Sequence, residues 1–501
     1  MIYFILMKIK KKIIIVGAGP GGLTTGMILS SKGYNVHIFE KEDCVGGRSA
    51  NIQKGPYSFD AGPTFLLMKS ILDQSFKIAG RNSSDYLNFT KLDPMYVLNY
   101  GDKKLSVSSD QDKMYKEIKR VFPGNEDGYL KFLEGEKKKF DNAFPCLEKD
   151  YSDVKSLFSL KLLKALPYID ITKNVYQVAS KYFKDELLRL SFTFQAKYLG
   201  MSPWECPGIF GMLPYMEHAN GIYHVEGGLS QISNKMAEVI KENGGKIHLN
   251  SPIKKIITEN KLAKGILLET GEEIYGDSIV LNADFAYAAS NLFDDGLLKK
   301  YSKEKLKKKS YSCSTYMLHL GIDKEYDEPH HQIVFAENYR ENISDIFNKK
   351  KLPDDISVYI RNSSINDKTV APKGHSSIYI LVPVPNNESN INWDDEKSDF
   401  RKKIFKILKE NTSFTDLEDH IIEEVVVTPK NWEMDFNVFF GATFNLSHKM
   451  SQMLYFRPRN RFEEIKNCYL VGGGTHPGSG LPTIYESARI SSNLIEKDLQ
   501  V

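Results

Sequence analysis

Ile13-Ile14-Ile15-Val16-Gly17-Ala18-Gly19-Pro20-Gly21-Gly22 reads as a strand, a glycine turn and the first turn of a helix. Four consecutive β-branched residues suit a strand buried on both faces. Gly17 allows the tight turn, Gly19 lets the backbone approach a pyrophosphate, and Gly22 lets the helix lie close to the strand. The helix, expected over residues 21–32 and ended by Gly33, turns its N-terminal N–H groups and positive dipole toward phosphate. The next strand, residues 35–40, ends on Glu40, whose carboxylate suits ribose hydroxyls and repels a 2′-phosphate. The pattern therefore favours FAD or NAD over NADP. A glycine turn alone is weak evidence; strand, glycines, helix, strand and acid in this order are strong.

Working outward, Cys44-Val45-Gly46-Gly47-Arg48-Ser49 follows Glu40 closely, and Phe59-Asp60-Ala61-Gly62-Pro63-Thr64 comes next. Near the other end, Cys468-Tyr469-Leu470-Val471 is a short apolar strand leading into Gly472-Gly473-Gly474-Thr475-His476-Pro477-Gly478-Ser479-Gly480-Leu481-Pro482. Glycines after a strand, with a helix from about Thr483, predict a second cofactor turn.

The Gly46-Gly47-Arg48 segment looks like that of the amine-oxidase-like flavoprotein superfamily. Gly472, Gly474, Thr475, His476, Pro477, Gly478, Gly480 and Pro482, with the segments at Phe59 and at Tyr455-Phe456-Arg457-Pro458-Arg459-Asn460, resemble the bacterial-type phytoene desaturase family, including dehydrosqualene desaturases. The likeness spans nearly the whole chain and is densest at its two ends. It implies FAD as the cofactor, held by Gly17, Gly19, Gly22, Glu40, Lys41, Gly47, Arg48, Gly62, Pro63, Thr64, Ile253, Gly473, Gly474, Leu481 and Pro482. Many superfamily members carry an acid after the C-terminal Gly-Thr; here His476 stands there, as in the desaturases, which weakens an amine oxidase reading.

The fold class expected is α/β: a Rossmann-like FAD-binding domain assembled from residues 8–106, 227–300 and 456–501. Between these pieces come a helical, membrane-facing region (107–226) and an α+β substrate domain (301–455). Further strands are expected at residues 246–250, 253–257, 263–269, 278–284, 315–320, 376–382 and 421–429, and a helix at 229–243. Residues 203–225 hold Trp204, Phe210, Met212, Leu213, Tyr215, Met216, Ile222 and Tyr223. These are either ordinary core or the wall of a channel for a long apolar polyene.

At 501 residues the chain suits two or three domains. A formal charge of +3 points to no nucleic-acid partner. Lysine runs at 137–139, 307–309 and 349–351 are solvated surface or contacts for anionic lipid headgroups. Five scattered cysteines without short spacings argue for reduced thiols in the cytoplasm, and no cluster suggests a metal. The N-terminal Met1–Met7 run is apolar but too short to span a bilayer, and Met7 is a candidate start; no later stretch is long enough either. Membrane contact is therefore expected to be peripheral.

The expected reaction removes two hydrogens from adjacent carbons, one as hydride to flavin and one as a proton. No residue pattern identifies the base. His476, Glu226 and Asp60 lie inside motifs, but Asp60 and Glu226 also read as turn-holding carboxylates and His476 as a packing imidazole. A second nicotinamide turn is not visible, so oxygen or a quinone is the expected electron acceptor. Relatives that isomerise, oxygenate or saturate polyenes, an amine oxidase, and a non-enzymatic isoprenoid-binding protein of the same fold are the alternatives.

Overall fold

The computed structural model describes residues 10–499, so the apolar Met1–Met7 run lies outside the described residues. At its centre is a five-stranded parallel sheet in the order 246–248, 35–39, 12–16, 278–281, 468–470. Strand β1 (Lys12–Val16) is its middle, followed by helix α1 (Pro20–Ser31) and strand β2 (Asn35–Phe39). Ile13 and Ile15 point into one hydrophobic cluster, Ile14 and Val16 into another, and all four are buried. Each face of β1 thus has its own core, which is why the run is apolar at every position rather than at alternate ones.

The sheet joins three stretches of chain far apart in sequence. Ser278–Leu281 pairs with β1, and Cys468–Leu470 pairs with Ser278–Leu281. The strand expected over 278–284 stops at Leu281 because the next side chains take other partners. Asn282 Nδ2 donates to the Gly17 carbonyl at 3.1 Å. Asp284 caps the helix Phe285–Asn291 by accepting from Tyr287 N–H. Likewise the strand expected over 421–429 ends at Val427, because Thr428 and Asn431 form a capping box for the helix Pro429–Met434.

A second sheet of seven strands runs in the order 421–427, 314–322, 376–384, 358–362, 331–334, 96–99, 104–107. Its last hairpin corrects the expected segment boundary at residue 106. Tyr96–Asn99 pairs in parallel with His331–Val334, so this hairpin extends the second sheet, not the first. The apolar pairs Leu98–Ile333 and Leu98–Leu105 sit in one hydrophobic cluster and fix that register. Residues 111–220 are mostly helical, the longest helix being Glu126–Leu147. A three-stranded antiparallel sheet, 253–259, 262–268 and 273–275, stands beside the parallel one.

Candidate functional site

The first glycine turn is built on backbone geometry that a side chain would spoil. Gly17 has φ +94°, and its N–H bonds the Phe39 carbonyl at 2.8 Å, locking the end of β1 to the end of β2. A Cβ on Gly22 would lie 2.2 Å from the Gly17 carbonyl oxygen, so only glycine lets α1 start this close to the turn. The first-turn N–H groups of α1 have no partner within the helix and face the space beyond the strand ends.

Glu40 closes this turn. Its Oε2 accepts from Ala18 N–H at 2.7 Å and its Oε1 from Glu42 N–H at 3.1 Å. Burial pushes its carboxyl up from the usual carboxylate range, while those N–H groups pull it back. Arg48 reaches across to the opposite wall. Its Nη1 donates to the Thr443 carbonyl at 3.0 Å and its Nη2 to Asn445 Oδ1 at 3.3 Å.

The second turn hangs on Arg457, a guanidinium with 0% exposure. It donates to the carbonyls of Gly473 (2.7 Å), Thr475 (3.0 Å) and Leu446 (3.2 Å), with longer bonds to those of Ser447 and Gln452. A buried charge satisfied by five carbonyls is a rigid strut. It explains the Tyr455–Asn460 segment, whose sequence flagged a motif without a role.

Both turns open onto one cavity of about 1030 Å³. That is at or above the roughly 300–1,000 Å³ of an ordinary small-molecule site. Gly17, Gly19, Glu40, Lys41, Gly47, Arg48, Gly62, Pro63, Thr64, Ile253, Gly473, Gly474, Leu481 and Pro482 all line it. Gly22 does not; it lies behind the turn, as a helix-packing glycine should. Much of the rest of the wall is apolar and aromatic, with Phe65, Phe144, Phe194, Leu199, Leu213, Met216, Ile333, Tyr379 and Trp432, and the carboxylates Glu42, Glu269, Asp284 and Asp435 also line the cavity. The lining fits an adenine dinucleotide. Backbone forms the cradle, a Cβ on Gly62 would meet the Arg48 carbonyl at 2.4 Å and one on Gly474 the Phe285 side chain at 2.9 Å, and Glu40 supplies the carboxylate.

The three base candidates are absent from the lining, and each is engaged elsewhere. Asp60 accepts from Arg361 Nη1 at 2.7 Å and from Ser230 N–H at 3.0 Å. Glu226 accepts from Asn88 Nδ2 at 2.7 Å. The His476 ring donates to the Lys149 carbonyl at 2.9 Å and stands edge-on to Tyr151. The 203–225 cluster is divided: Leu213 and Met216 line the cavity, whereas Phe210, Met212 and Ile222 are buried core. Among the described residues no group of three or more His, Cys, Asp or Glu side chains is placed to hold a metal ion.

Of the lining residues that the sequence did not single out, two bear on the chemistry of the site. Asn282 touches both the first turn and, through its side chain, the start of α1; its position just past a parallel strand's C-terminal end was the available signal. Lys197 lies on the apolar part of the wall, where no sequence pattern announced it.

Residues 20–495 match the family described as flavin containing amine oxidoreductase. The chain is 54% identical over 491 residues to a 4,4'-diapophytoene desaturase (4,4'-diapolycopene-forming) of Methylomonas sp, covering 98% of this chain and 96% of that one. It is 35% identical to a zeta-carotene-forming phytoene desaturase of Myxococcus xanthus, covering 96% and 93%. Among solved structures, an oxidoreductase from Methanosarcina mazei superposes with a TM-score of 0.65 at 16% identity, covering 97% of this chain and 100% of that one, which is a likeness of fold.

Proposed function

Because the chain belongs to the flavin-containing amine oxidoreductase family, we propose that it is an FAD-dependent desaturase of a long, acyclic, apolar polyene. A C30 substrate of the diapophytoene type is favoured by the 54% identical relative named for that activity. The observation that carries the reading is one continuous cavity that is glycine-cradled on one part of its wall and largely aromatic and aliphatic on another. Bound FAD would supply the hydride acceptor.

The chain's own residues bind and orient. The two turns, Glu40 and Arg48 hold the dinucleotide, and Phe65, Phe194, Leu213 and Met216 hold an isoprenoid by shape alone, since it offers no hydrogen bonds. The same apolar wall excludes water from the reacting carbons.

A hydrocarbon substrate resides in a bilayer, and one segment is built to meet it. Phe158 (75% exposed), Leu160 (67%), Leu163 (51%) and Ile171 (54%) project from residues 154–171, interleaved with exposed Lys155, Lys161 and Lys164. Apolar side chains ringed by lysines suit an anionic membrane surface. The buried face of the segment, Leu162, Ala165 and Ile169, belongs to the same hydrophobic cluster as the lining residues Phe144, Leu199 and Met216. The contact proposed is peripheral; among the described residues no helix is long and apolar enough to cross a membrane. Oxygen or a membrane quinone would take the electrons, and the five free cysteines fit a reducing cytoplasm.

The test is flavin-loaded protein on anionic vesicles carrying the acyclic C30 polyene, with products read by chromatography and absorption. Conjugation should lengthen, without nicotinamide, and Leu160→Glu with Leu163→Glu should release the protein from the vesicles. A flavin-loaded protein that leaves the polyene unchanged overturns the reading, and peroxide release from a primary amine would replace it with an amine oxidase.

A further inference from the structure

Desaturation leaves one proton to be removed from an oily cavity, and the three carboxylate and imidazole candidates from the motifs are absent from its lining. Besides the carboxylates Glu40, Glu42, Glu269, Asp284 and Asp435, the lining carries an amine set among apolar side chains. Lys197 lies within a short 3₁₀ segment, Phe194–Leu199, whose Phe194, Tyr198 and Leu199 line the cavity with it, together with Phe65, Leu213 and Ile333. Among the described residues the Lys197 side-chain amine takes part in no ion pair or hydrogen bond; Nζ lies 4.6 Å from the centroid of the Tyr339 ring. An unpaired amine kept in an apolar cavity costs stability, and nothing in the packing of the fold requires it.

We propose that Lys197 Nζ, as the free amine, is the group that takes the proton from the polyene. The proposal rests on the desaturase reading above. One carbon gives up hydrogen with its electron pair to the flavin. The C–H bond on the neighbouring carbon then breaks, its electron pair becomes the new double bond, and its proton forms the fourth bond of the lysine nitrogen. The products are the polyene with one more double bond, reduced flavin and a lysine ammonium.

The surroundings suit both states of the amine. Burial pulls Lys197 down to about 7, so the free amine is populated near neutrality, where a general base works best. The titratable groups facing it are neutral there. Burial pushes the Cys313 thiol up to about 12 and the Tyr339 phenol well above its ordinary value. Once formed, the ammonium sits over the Tyr339 ring, an attraction that makes the charge tolerable without fixing it as a carboxylate would. Tyr339 also lines a second cavity of about 590 Å³ bearing Asp185, Glu186 and Glu337, so a space rich in proton acceptors lies one ring away from the amine.

Two measurements test this. On polyene-loaded vesicles, wild-type turnover should rise with pH through about 7. Lys197→Met should lower it on the order of 10²-fold and abolish that rise. Lys197→Arg, permanently charged, should be as inactive while retaining flavin. On the flavin-free protein, the buried amine predicts a melting temperature that climbs from pH 7 toward 10 as the unfolded chain loses its proton, and Lys197→Met should melt higher at pH 7 and lack that climb. Activity retained in Lys197→Arg overturns the proposal. So does a pH rise that survives Lys197→Met, or one that disappears instead in Tyr359→Phe, which removes one of the hydroxyls on that wall. A wild type that leaves the polyene untouched brings down the desaturase reading itself, and the base role with it; a wild type that desaturates while failing these arms brings down only Lys197.

Discussion

In the glycine-lined part of the cavity the backbone does the recognising. Gly17, Gly19, Gly47, Gly62, Gly473 and Gly474 bring peptide groups to the surface, and the side chains that matter, Glu40 and Arg457, act largely by bonding other backbone atoms. In the apolar part the backbone is hidden and side chains make the wall. A peptide cradle needs particular residues at particular spacings, because a single Cβ ruins it. A greasy wall needs only volume, so many residues serve and none is obligatory. The two parts should therefore fail differently when altered.

The sharpest way to break that contrast is Gly22→Ala. Its Cβ would fall 2.2 Å from the Gly17 carbonyl, and backbone cannot yield as a side chain tip can. Overpacking of this kind costs about 1–3 kcal/mol, and here the strain lands on the cradle. The variant should bind flavin roughly five- to a hundredfold more weakly, since 1.4 kcal/mol is a factor of ten in affinity, and should melt earlier. Full flavin occupancy would show that the cradle tolerates what its geometry says it cannot.

The same contrast explains what could be read from sequence. The parallel sheet core and the first turn lie within residues 12–40, so local pattern exposes them. The second turn is equally local. The apolar wall is not: Phe65, Phe194, Leu213, Ile333 and Trp432 come from separate elements and meet only through folding. The hairpin Tyr96–Val107 was misplaced for that reason, since its partner strand begins more than two hundred positions later at His331. Lys197 stayed invisible because a lysine between Ala196 and Tyr198 looks like solvent-facing punctuation until the cavity is seen around it. Asp60 misled in the opposite sense: it lies in a motif, yet its carboxylate is committed to Arg361.

A smaller effect sharpens the comparison from the other side. Leu213→Phe adds bulk to the apolar wall without touching either turn. Flavin content should stay at the wild-type level, while the KM for the polyene rises about three- to tenfold, the range expected when one or two methylenes' worth of fit, about 1 kcal/mol, is lost. Equal loss of flavin and substrate binding would mean that the two parts of the cavity are mechanically one.

The smallest effect is behind the wall, at Glu217. This carboxyl is fully buried, accepts from Tyr96 OH at 2.8 Å and Gln195 Nε2 at 2.9 Å, and is pushed up to about 7 by burial, against the pull of those donors. Its folded value lies above the ordinary value near 4.5. The stability that comes from the protonated acid is therefore complete below about pH 4.5 and is lost as pH rises through about 7. Glu217→Gln keeps the shape and an acceptor but has no proton to lose. The difference in melting temperature, variant minus wild type, should grow between pH 5 and 8 by roughly 2–4 °C, with flavin content unchanged. Lys197 contributes with the opposite sign over the more alkaline range, since its buried form is the deprotonated one. A difference that stays flat across pH 5 to 8 would mean that Glu217 is ionised in the folded protein. Tyr96 and Gln195 would then be holding a charge against the wall, and the apolar part of the cavity would be less dry than its lining implies.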